Sequence, residues 1–504
     1  MDLVTTLRWA AERNPERTAV AGAGRRLTYR EWDARTDRLA AALSANGVGR
    51  GDRVALLMHG GEQLASLHLA AQKLGAVSVP LSTRFGVPEL TYCLDDADAR
   101  LAIADSAHAD RVAEAGITDR LRTVAEIDAT AQRQDAPVAA VTPQATDLSV
   151  MLYTSGTTGK PKGVPRTHGA EHSAAVAHVM QTRQRQGVAT LGVMPLFHTM
   201  GLRTLLGSIV VGGTWVGQPA FDAEESMHLI LDERIGSLYL VPTIYWSLLR
   251  TGRLGGAGAL DNLAYAGAAM TPSLAEQLVE ELAPVSFVNH FGSTEIYTFT
   301  IGPDVAAKPG CAGRAGLFSR VRLIAPDADA PVDEQVKPGE QGQVIVSMES
   351  VEAFGGYWQR PDANARAIRE GWYHTGDLAV ADDDGDLWVS GRTDDMINSG
   401  GENVYPDEIE SVLARCPEID DVCVVGLPDE RWGHAVSAFV VPARGADPMV
   451  AAERAMAFAR EHLPSLKRPK RVIAVDEVPR SGVGKTLRRT LVAGDYRARG
   501  EFRA

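Results

Sequence analysis

Between residues 28 and 104 the chain alternates helix-like segments with short apolar runs, and this alternation restricts its fold more than any other feature. Thr28-Tyr29-Arg30-Glu31 is a capping box, in which the threonine hydroxyl and the glutamate carboxylate satisfy the first helical N–H groups. Leu39 and Leu43 then share one helix face, and Asn46-Gly47 closes the helix. The pattern predicts a strand over 53–58, an amphipathic helix over 62–74 ending at Gly75, and strands over 76–81 and 101–104. Such alternation gives α/β layers with largely parallel strands. Residues 105–145 are polar and Ala-rich and read as a surface connection, and further strands are expected over 148–153, 237–241 and 343–347.

The 504 residues are enough for roughly two to four domains. The cleanest boundary lies near Gly391-Arg392-Thr393-Asp394-Asp395, after a strand-like run over 387–390. Beyond it, Ser399-Gly400-Gly401 is a flexible turn, and Pro406 opens a helix whose Asp407, Glu408 and Glu410 suit the positive end of its dipole. The expected fold class is therefore α/β: a large layered N-terminal domain over 1–393 and a small, mobile α+β C-terminal lid over 394–504. A net charge of −13 disfavours nucleic acid and anionic membrane as partners, so a polyanionic ligand needs a local basic site. The four cysteines form no CxxC pair, the first residues lack the apolar core of a signal peptide, and no apolar run approaches membrane-spanning length. A cytoplasmic location follows as an expectation. The oligomeric state, homodimer included, is left open.

The densest chemical signal is Tyr153-Thr154-Ser155-Gly156-Thr157-Thr158-Gly159-Lys160-Pro161-Lys162-Gly163. Its glycines let backbone N–H groups approach an anion, four hydroxyls add donors and two lysines add charge, as a triphosphate requires. The spacing does not match GxxxxGK[ST], which disfavours a P-loop ATPase. The run Asp382-Asp383-Asp384-Gly385-Asp386 lacks the spaced acids and terminal Glu of a calcium loop and reads as a β-turn.

The segment at 153–163 resembles the phosphate loop of the adenylate-forming superfamily, which includes acyl- and aryl-CoA synthetases, peptide-synthetase adenylation domains and luciferase. Further matches recur in order from about residue 20 to about residue 490. The resemblance implies that Thr154, Ser155, Gly156, Thr157, Thr158 and Lys162 hold the ATP phosphates. Asn289-His290-Phe291-Gly292-Ser293-Thr294-Glu295 resembles the family's NxYGxTE segment. There Thr294 would meet the α-phosphate, Glu295 would ligate Mg²⁺, and Phe291, in place of the usual Tyr, would stack near adenine. Asp377, in Tyr373-His374-Thr375-Gly376-Asp377, would bind the ribose hydroxyls, and Arg392 would also contact the nucleotide. Asp394 matches the hinge. Pro479-Arg480-Ser481-Gly482-Val483-Gly484-Lys485 resembles the loop that delivers the adenylation lysine, Lys485.

Coenzyme A is the acceptor that the resemblance implies. Gly400 would line a pantetheine tunnel, while Trp432, Lys467, Arg468 and Lys470 would meet the nucleotide end of CoA. Leu196-Phe197-His198-Thr199-Met200-Gly201 resembles the segment in which a His gates the acyl pocket, making His198 a catalytic candidate. By resemblance the pocket comprises Thr199, Met200, Tyr265, Gly267, Ala268, Gly292, Ile296 and Tyr297. No Asp stands near the His198 segment to pair with a substrate ammonium, which argues against an amino acid. The pattern is most similar to 4-chlorobenzoate-type aryl-CoA ligases. It implies ATP-dependent activation of an aromatic or bulky cyclic acid as an acyl-adenylate, followed by thioesterification. The rivals are a protein that performs one half-reaction only, acyl transfer to a separate carrier protein, and a non-catalytic binding protein.

Overall fold

In the computed structural model the described residues are 1–133, 141–154, 160–302, 304–327, 330–399, 402–480 and 486–503. The first sheet realises the alternation read from the sequence. Its strands run in the order Leu121–Thr123, Ala99–Ala104, Arg53–Leu57, Val77–Pro80, Leu148–Thr154, Lys162–Thr167. All neighbours are parallel except the last pair. Side chains alternate across it with period two. Val54, Leu56, Leu101 and Ile103 face one way and pack with Leu39 and Leu43 of helix Tyr29–Ala45 and Leu64 and Leu67 of helix Glu62–Lys73. Ala55, Leu57, Ala102 and Ala104 face the other way, against Leu90 and Leu94 of helix Val87–Asp96 and Val112 of helix Ala109–Glu114.

The stretch over 105–145, expected as a surface connection, holds helix Ala109–Glu114, strand Leu121–Thr123 and helix Val124–Gln132. The last begins in a second capping box, Thr123 with Glu126. These elements are too short to show helical periodicity, which is why the pattern did not reveal them.

A nine-stranded sheet carries the other half of the large core. Its strands at 286–291, 262–265, 237–240, 189–192, 214–217 and 18–22 are parallel, with antiparallel strands at both edges. A further sheet includes Gln341–Ser347, Trp372–Ala381 and Leu387–Arg392. The tight turn between the last two is Asp382–Asp386, where the Gly385 N–H donates to the Asp382 carbonyl and the Asp384 and Asp386 N–H groups donate to the Asp382 carboxylate. In the C-terminal region a six-stranded sheet, led by the hairpin Ile419–Asp429 and Gly433–Pro442, is covered by helices Pro406–Leu413 and Pro448–His462.

The chain forms two compact units, one over 1–321 and 346–373, the other over 322–345 and 374–504. All four cysteines are free and buried. Among the described residues no helix is long and apolar enough to cross a membrane.

Candidate active site

In the first unit, strands Leu148–Thr154 and Lys162–Thr167 form an antiparallel pair in which Thr154 and Lys162 stand opposite each other. They are the two ends of the glycine- and hydroxyl-rich segment. Ser155, Gly156, Thr157 and Thr158 lie outside the described residues. The base of the hairpin is braced by the Tyr153 hydroxyl, which donates to Asp96 Oδ2 at 2.9 Å, and by the Trp358 N–H, which donates to the Gly163 carbonyl at 2.9 Å. Burial pushes the Tyr153 phenol well up, and the Asp96 charge adds to that, so the ring stays a neutral donor.

Lys162 Nζ stands 4.4 Å from the centre of the Tyr357 ring, and the Tyr357 hydroxyl donates to Glu295 Oε1 at 2.6 Å. Tyr357 thus joins the phosphate-type segment to the carboxylate expected to hold Mg²⁺. Glu295 is buried, and among the described residues its Oε2 has no hydrogen bond. One free, hard carboxylate oxygen fits Mg²⁺, which keeps most of its waters and accepts one or two protein carboxylates.

The turn bearing Thr294 and Glu295 is set by backbone approach and by a buried guanidinium. A Cβ at Gly292 would stand 2.1 Å from the Tyr297 carbonyl oxygen, so only glycine lets the chain fold back there. Arg166 is fully buried, and its Nη1 donates to the carbonyls of Thr294 at 3.3 Å, Glu295 at 3.1 Å and Glu352 at 2.9 Å. Its Nε donates to Glu171 at 2.5 Å, and its plane lies 3.7 Å from the centre of the Tyr297 ring. Beside it, Arg203 Nη2 reaches Glu352 Oε2 at 3.2 Å and Thr298 Oγ1, and its Nη1 donates to His290 Nδ1 at 2.9 Å. Two buried arginines thus balance two buried glutamates behind the turn. Burial raises the Glu352 carboxyl and the Arg203 and Arg166 charges oppose that shift. His290 is driven well below the usual imidazole range by burial and then by the Arg203 charge, so its ring is neutral, with Nδ1 the acceptor and Nε2 carrying hydrogen.

Arg203 belongs to helix Thr199–Val210, whose N-terminus carries His198, Thr199 and Met200. His198 is half-buried, and its Nδ1 accepts the Met200 N–H at 3.3 Å, so it caps this helix. A Cβ at Gly201 would fall 2.2 Å from the Pro195 carbonyl oxygen, so the tight entry into the helix requires glycine. Thr199, Met200, Ile296 and Tyr297 are all buried. Phe291 meets Phe299 edge to face, with centroids 5.2 Å apart. Gly267 and Ala268 are exposed at the end of strand Asn262–Tyr265. Tyr265 is not gathered with His290. Register pairs it with Asn289, one residue before His290 and on the opposite face of the sheet, where its ring packs against Phe287.

In the second unit, Asp377 and Arg392 are direct cross-strand partners. Arg392 Nη1 donates to Asp377 Oδ1 at 2.6 Å, and the Asp377 N–H donates to Thr375 Oγ1 at 2.9 Å. Asp394 lies in the single 3₁₀ turn Thr393–Asp395. Lys485 and Gly400 lie outside the described residues. The flanks of the Lys485 segment are anchored. Arg480 grips both oxygens of Asp421 at 2.8 Å, Arg480 bridges Thr486, and Arg488 reaches Glu410 at 2.8 Å and Asp407 at 2.5 Å.

The Arg431 guanidinium lies 4.8 Å and Lys470 Nζ 4.9 Å from the centre of the Trp432 ring. Burial, then the Arg468 and Arg431 charges, hold Lys470 below the ordinary lysine range. Lys467 instead pairs with Glu408, and Arg468 Nε donates to the Leu463 carbonyl at 2.8 Å.

Sequence reasoning missed Tyr357, Arg166, Arg203 and Glu352. Only the Arg in Pro165-Arg166-Thr167-His168, immediately after the lysine-rich segment, offered a signal, and a lone arginine is most often exposed.

A family model described as AMP-binding enzyme matches residues 7–358, and one described as AMP-binding enzyme C-terminal domain matches residues 408–485. Feruloyl-CoA synthase of Amycolatopsis sp is 37% identical over 486 residues, 95% of this chain and 96% of that protein. 4-Chlorobenzoate–CoA ligase of Arthrobacter sp is 33% identical over 494 residues, 96% of this chain and 93% of that protein. Among solved structures, o-succinylbenzoate CoA synthetase (MenE) of Bacillus subtilis, in complex with the acyl-adenylate intermediate OSB-AMP, superposes with a TM-score of 0.87 at 28% identity. That match covers 96% of this chain and 97% of the MenE chain.

Proposed function

The chain belongs to the AMP-binding enzyme family, and from that premise we propose that it is an AMP-forming acid–thiol ligase whose acid is aromatic or bulky and cyclic. ATP and CoA are its co-substrates. The observation that carries the site assignment is the Lys162–Tyr357–Glu295 array, which sets a phosphate-segment cation and a free carboxylate oxygen on one aromatic side chain.

In the first half-reaction a carboxylate oxygen of the acid attacks the α-phosphorus of ATP and pyrophosphate leaves, giving an acyl-adenylate. Glu295 would hold Mg²⁺, which when bound neutralises phosphate charge. Thr154, Ser155, Gly156, Thr157, Thr158 and Lys162 cradle the β- and γ-phosphates, and Thr294 donates to the α-phosphate. Phe291 stacks near adenine, while Asp377 and Arg392 hold the ribose. Lys485 reaches the incoming carboxylate and the α-phosphate together, offsetting their repulsion, and electrostatic positioning of this kind is the main lever in such transfers. The resulting mixed anhydride has AMP as its leaving group.

In the second half-reaction the region from Asp394 onward turns about that residue, and the CoA thiol attacks the acyl carbonyl, loses its proton and expels AMP. Gly400 admits the pantetheine arm, and Trp432 with Lys467, Arg468 and Lys470 receives the phosphorylated end of CoA. Lys470, held below the ordinary lysine range by burial and then by the Arg468 and Arg431 charges, gains from a phosphate. His198, Thr199, Met200, Tyr265, Gly267, Ala268, Gly292, Ile296 and Tyr297 form the acid pocket.

The net charge of −13 supports a reading without nucleic acid or anionic membrane as partner, and four buried free cysteines support a reducing, cytoplasmic setting. The deciding experiment incubates the purified protein with Mg·ATP and a panel of benzoates, cinnamates, alicyclic and fatty acids, with and without CoA, and follows products by mass spectrometry. Acyl-CoA from one cyclic class is expected. Turnover confined to fatty acids would overturn the acid class. Thioesters formed only from supplied acyl-AMP would overturn adenylation.

A further inference from the structure

At the carboxyl ends of strands Arg53–Leu57 and Ala99–Ala104, two histidines from different loops address one carboxylate. His59 Nδ1 lies 2.9 Å from Asp105 Oδ2, and His108 Nδ1 lies 2.5 Å from Asp105 Oδ1. The His59 backbone N–H donates to the same Oδ2 at 3.0 Å, and the two rings are 4.8 Å apart. The adenylation chemistry makes no use of these residues.

Their place in the fold is distinctive. Strand Arg53–Leu57 has Val77–Pro80 on one side and Ala99–Ala104 on the other. From Arg53–Leu57 the chain leaves through helix Glu62–Lys73, packed on the face that carries Val54 and Leu56. From Ala99–Ala104 it leaves through helix Ala109–Glu114, packed on the opposite face with Ala102 and Ala104. Adjacent parallel strands whose exits part to opposite faces open a crevice at their carboxyl ends, and open α/β sheets bind ligands there. His59, Asp105 and His108 stand just beyond those carboxyl ends.

We propose that His59, Asp105 and His108 bind one divalent transition-metal ion, Zn²⁺ or a metal of like ligand preference, separate from the Mg²⁺ at Glu295. Two imidazole nitrogens and a carboxylate oxygen, all within 4.8 Å of one another, form a donor set that suits Zn²⁺ and disfavours Mg²⁺. The His59 side chain is 49% exposed, so water can complete the coordination and an ion can enter. Tetrahedral bonds of 2.0–2.1 Å separate ligand atoms by about 3.3 Å, so the rings must draw back slightly from the carboxylate, and exposed His59 is free to do so. In the metal-free form each ring meets Asp105 through its Nδ1. The His59 N–H keeps Asp105 oriented in both forms. A clasp between the two loops needs only one imidazole. The second, presented through the same nitrogen, completes a chelate.

The test uses the untagged full chain, stripped with a chelator and free of nucleotide. It is titrated with Co²⁺ by visible absorption and then with Zn²⁺ in competition, alongside His59→Gln, Asp105→Asn and Glu295→Gln. Expected are one Co²⁺ per chain with a low-symmetry d–d spectrum, displacement by Zn²⁺, and Zn²⁺ affinity lowered by about 10–100-fold or more in His59→Gln. Zn²⁺ should raise the melting temperature of the wild type but not of His59→Gln, whose acyl-CoA synthesis stays unchanged. His59 is half exposed, so its variant folds, and Asp105→Asn provides an independent reading. The proposal is overturned if no such spectrum forms, if His59→Gln and Asp105→Asn bind as the wild type does, or if Glu295→Gln alone abolishes binding.

Discussion

The Tyr357 hydroxyl donates to Glu295 Oε1 at 2.6 Å while its ring lies 4.4 Å from Lys162 Nζ, so one side chain positions both Lys162 and the carboxylate proposed to hold Mg²⁺. Tyr357→Phe keeps the ring and the Lys162 contact and removes only the bond to Glu295. Hydrogen bonds to charged groups contribute about 1.5–3 kcal/mol, so adenylation should fall by about 10–100-fold, with KM for Mg·ATP raised. ATP–pyrophosphate exchange measures it. Thioesterification of a supplied acyl-AMP should be almost unaffected, and equal losses in both half-reactions would mean that Tyr357 serves only the fold.

The role proposed for Lys485 separates the half-reactions in a different way. On either side of the segment that carries it, Arg480 pairs with Asp421 and Arg488 with Glu410. Lys485→Ala should lose about 10²–10³ in adenylation, the scale for one well-placed electrostatic donor. Acyl-CoA formation from synthetic acyl-AMP should persist. A variant equally poor in both steps would refute the division of labour proposed for the region beyond Asp394.

Local signals in the sequence placed local structure well, and long-range pairing escaped them. The Thr28–Glu31 capping box forms as read, and expectations over 53–58, 62–74 and 76–81 correspond to Arg53–Leu57, Glu62–Lys73 and Val77–Pro80. The second capping box, Thr123 with Glu126, is a local signal of the same kind, but the elements around it are too short to show a period. In the candidate site, contiguous motifs announce Thr154, Glu295 and Asp377. Tyr357 lies 62 residues from Glu295, and Arg166 and Arg203 lie 186 and 149 residues from Glu352. No periodicity or spacing rule spans such separations, so buried partners of this kind emerge only from the folded chain.

Those buried charges make a stability prediction. Glu352→Gln preserves volume but leaves the Arg203 guanidinium, 2% exposed, without its counter-charge. Breaking a buried pair from one side costs about 3–5 kcal/mol, because the remaining charge cannot recover its hydration. The denaturant midpoint should drop accordingly with the slope unchanged. A cost below about 1 kcal/mol, the value for exposed pairs, would show that Arg203 is satisfied by His290 and Thr298 alone.

Acid should undo the same core through its histidines. His68 and His178 are pushed down to about 3 and His168 to about 4, while His290 lies well below the ordinary 6.5. Burial is the first cause at every one. The His168 ring adds to it for His68, and the Arg203 charge adds to it for His178 and His290. Each ring is neutral when folded and protonated in the unfolded chain below 6.5. The unfolded state therefore binds more protons, and the stability these rings contribute is complete above pH 6.5 and lost as the pH falls toward 4 and 3. Each fully engaged site gives a slope of about 1.4 kcal/mol per pH unit, so four acting together approach about 5 kcal/mol per unit. Unfolding followed in urea between pH 7.5 and 5 should show the midpoint collapsing over the lower half of that range. His178→Asn, which cannot titrate, should shed about one proton from the uptake on unfolding. A midpoint that stays level down to pH 5 would mean that these rings are protonated in place, which their buried surroundings forbid.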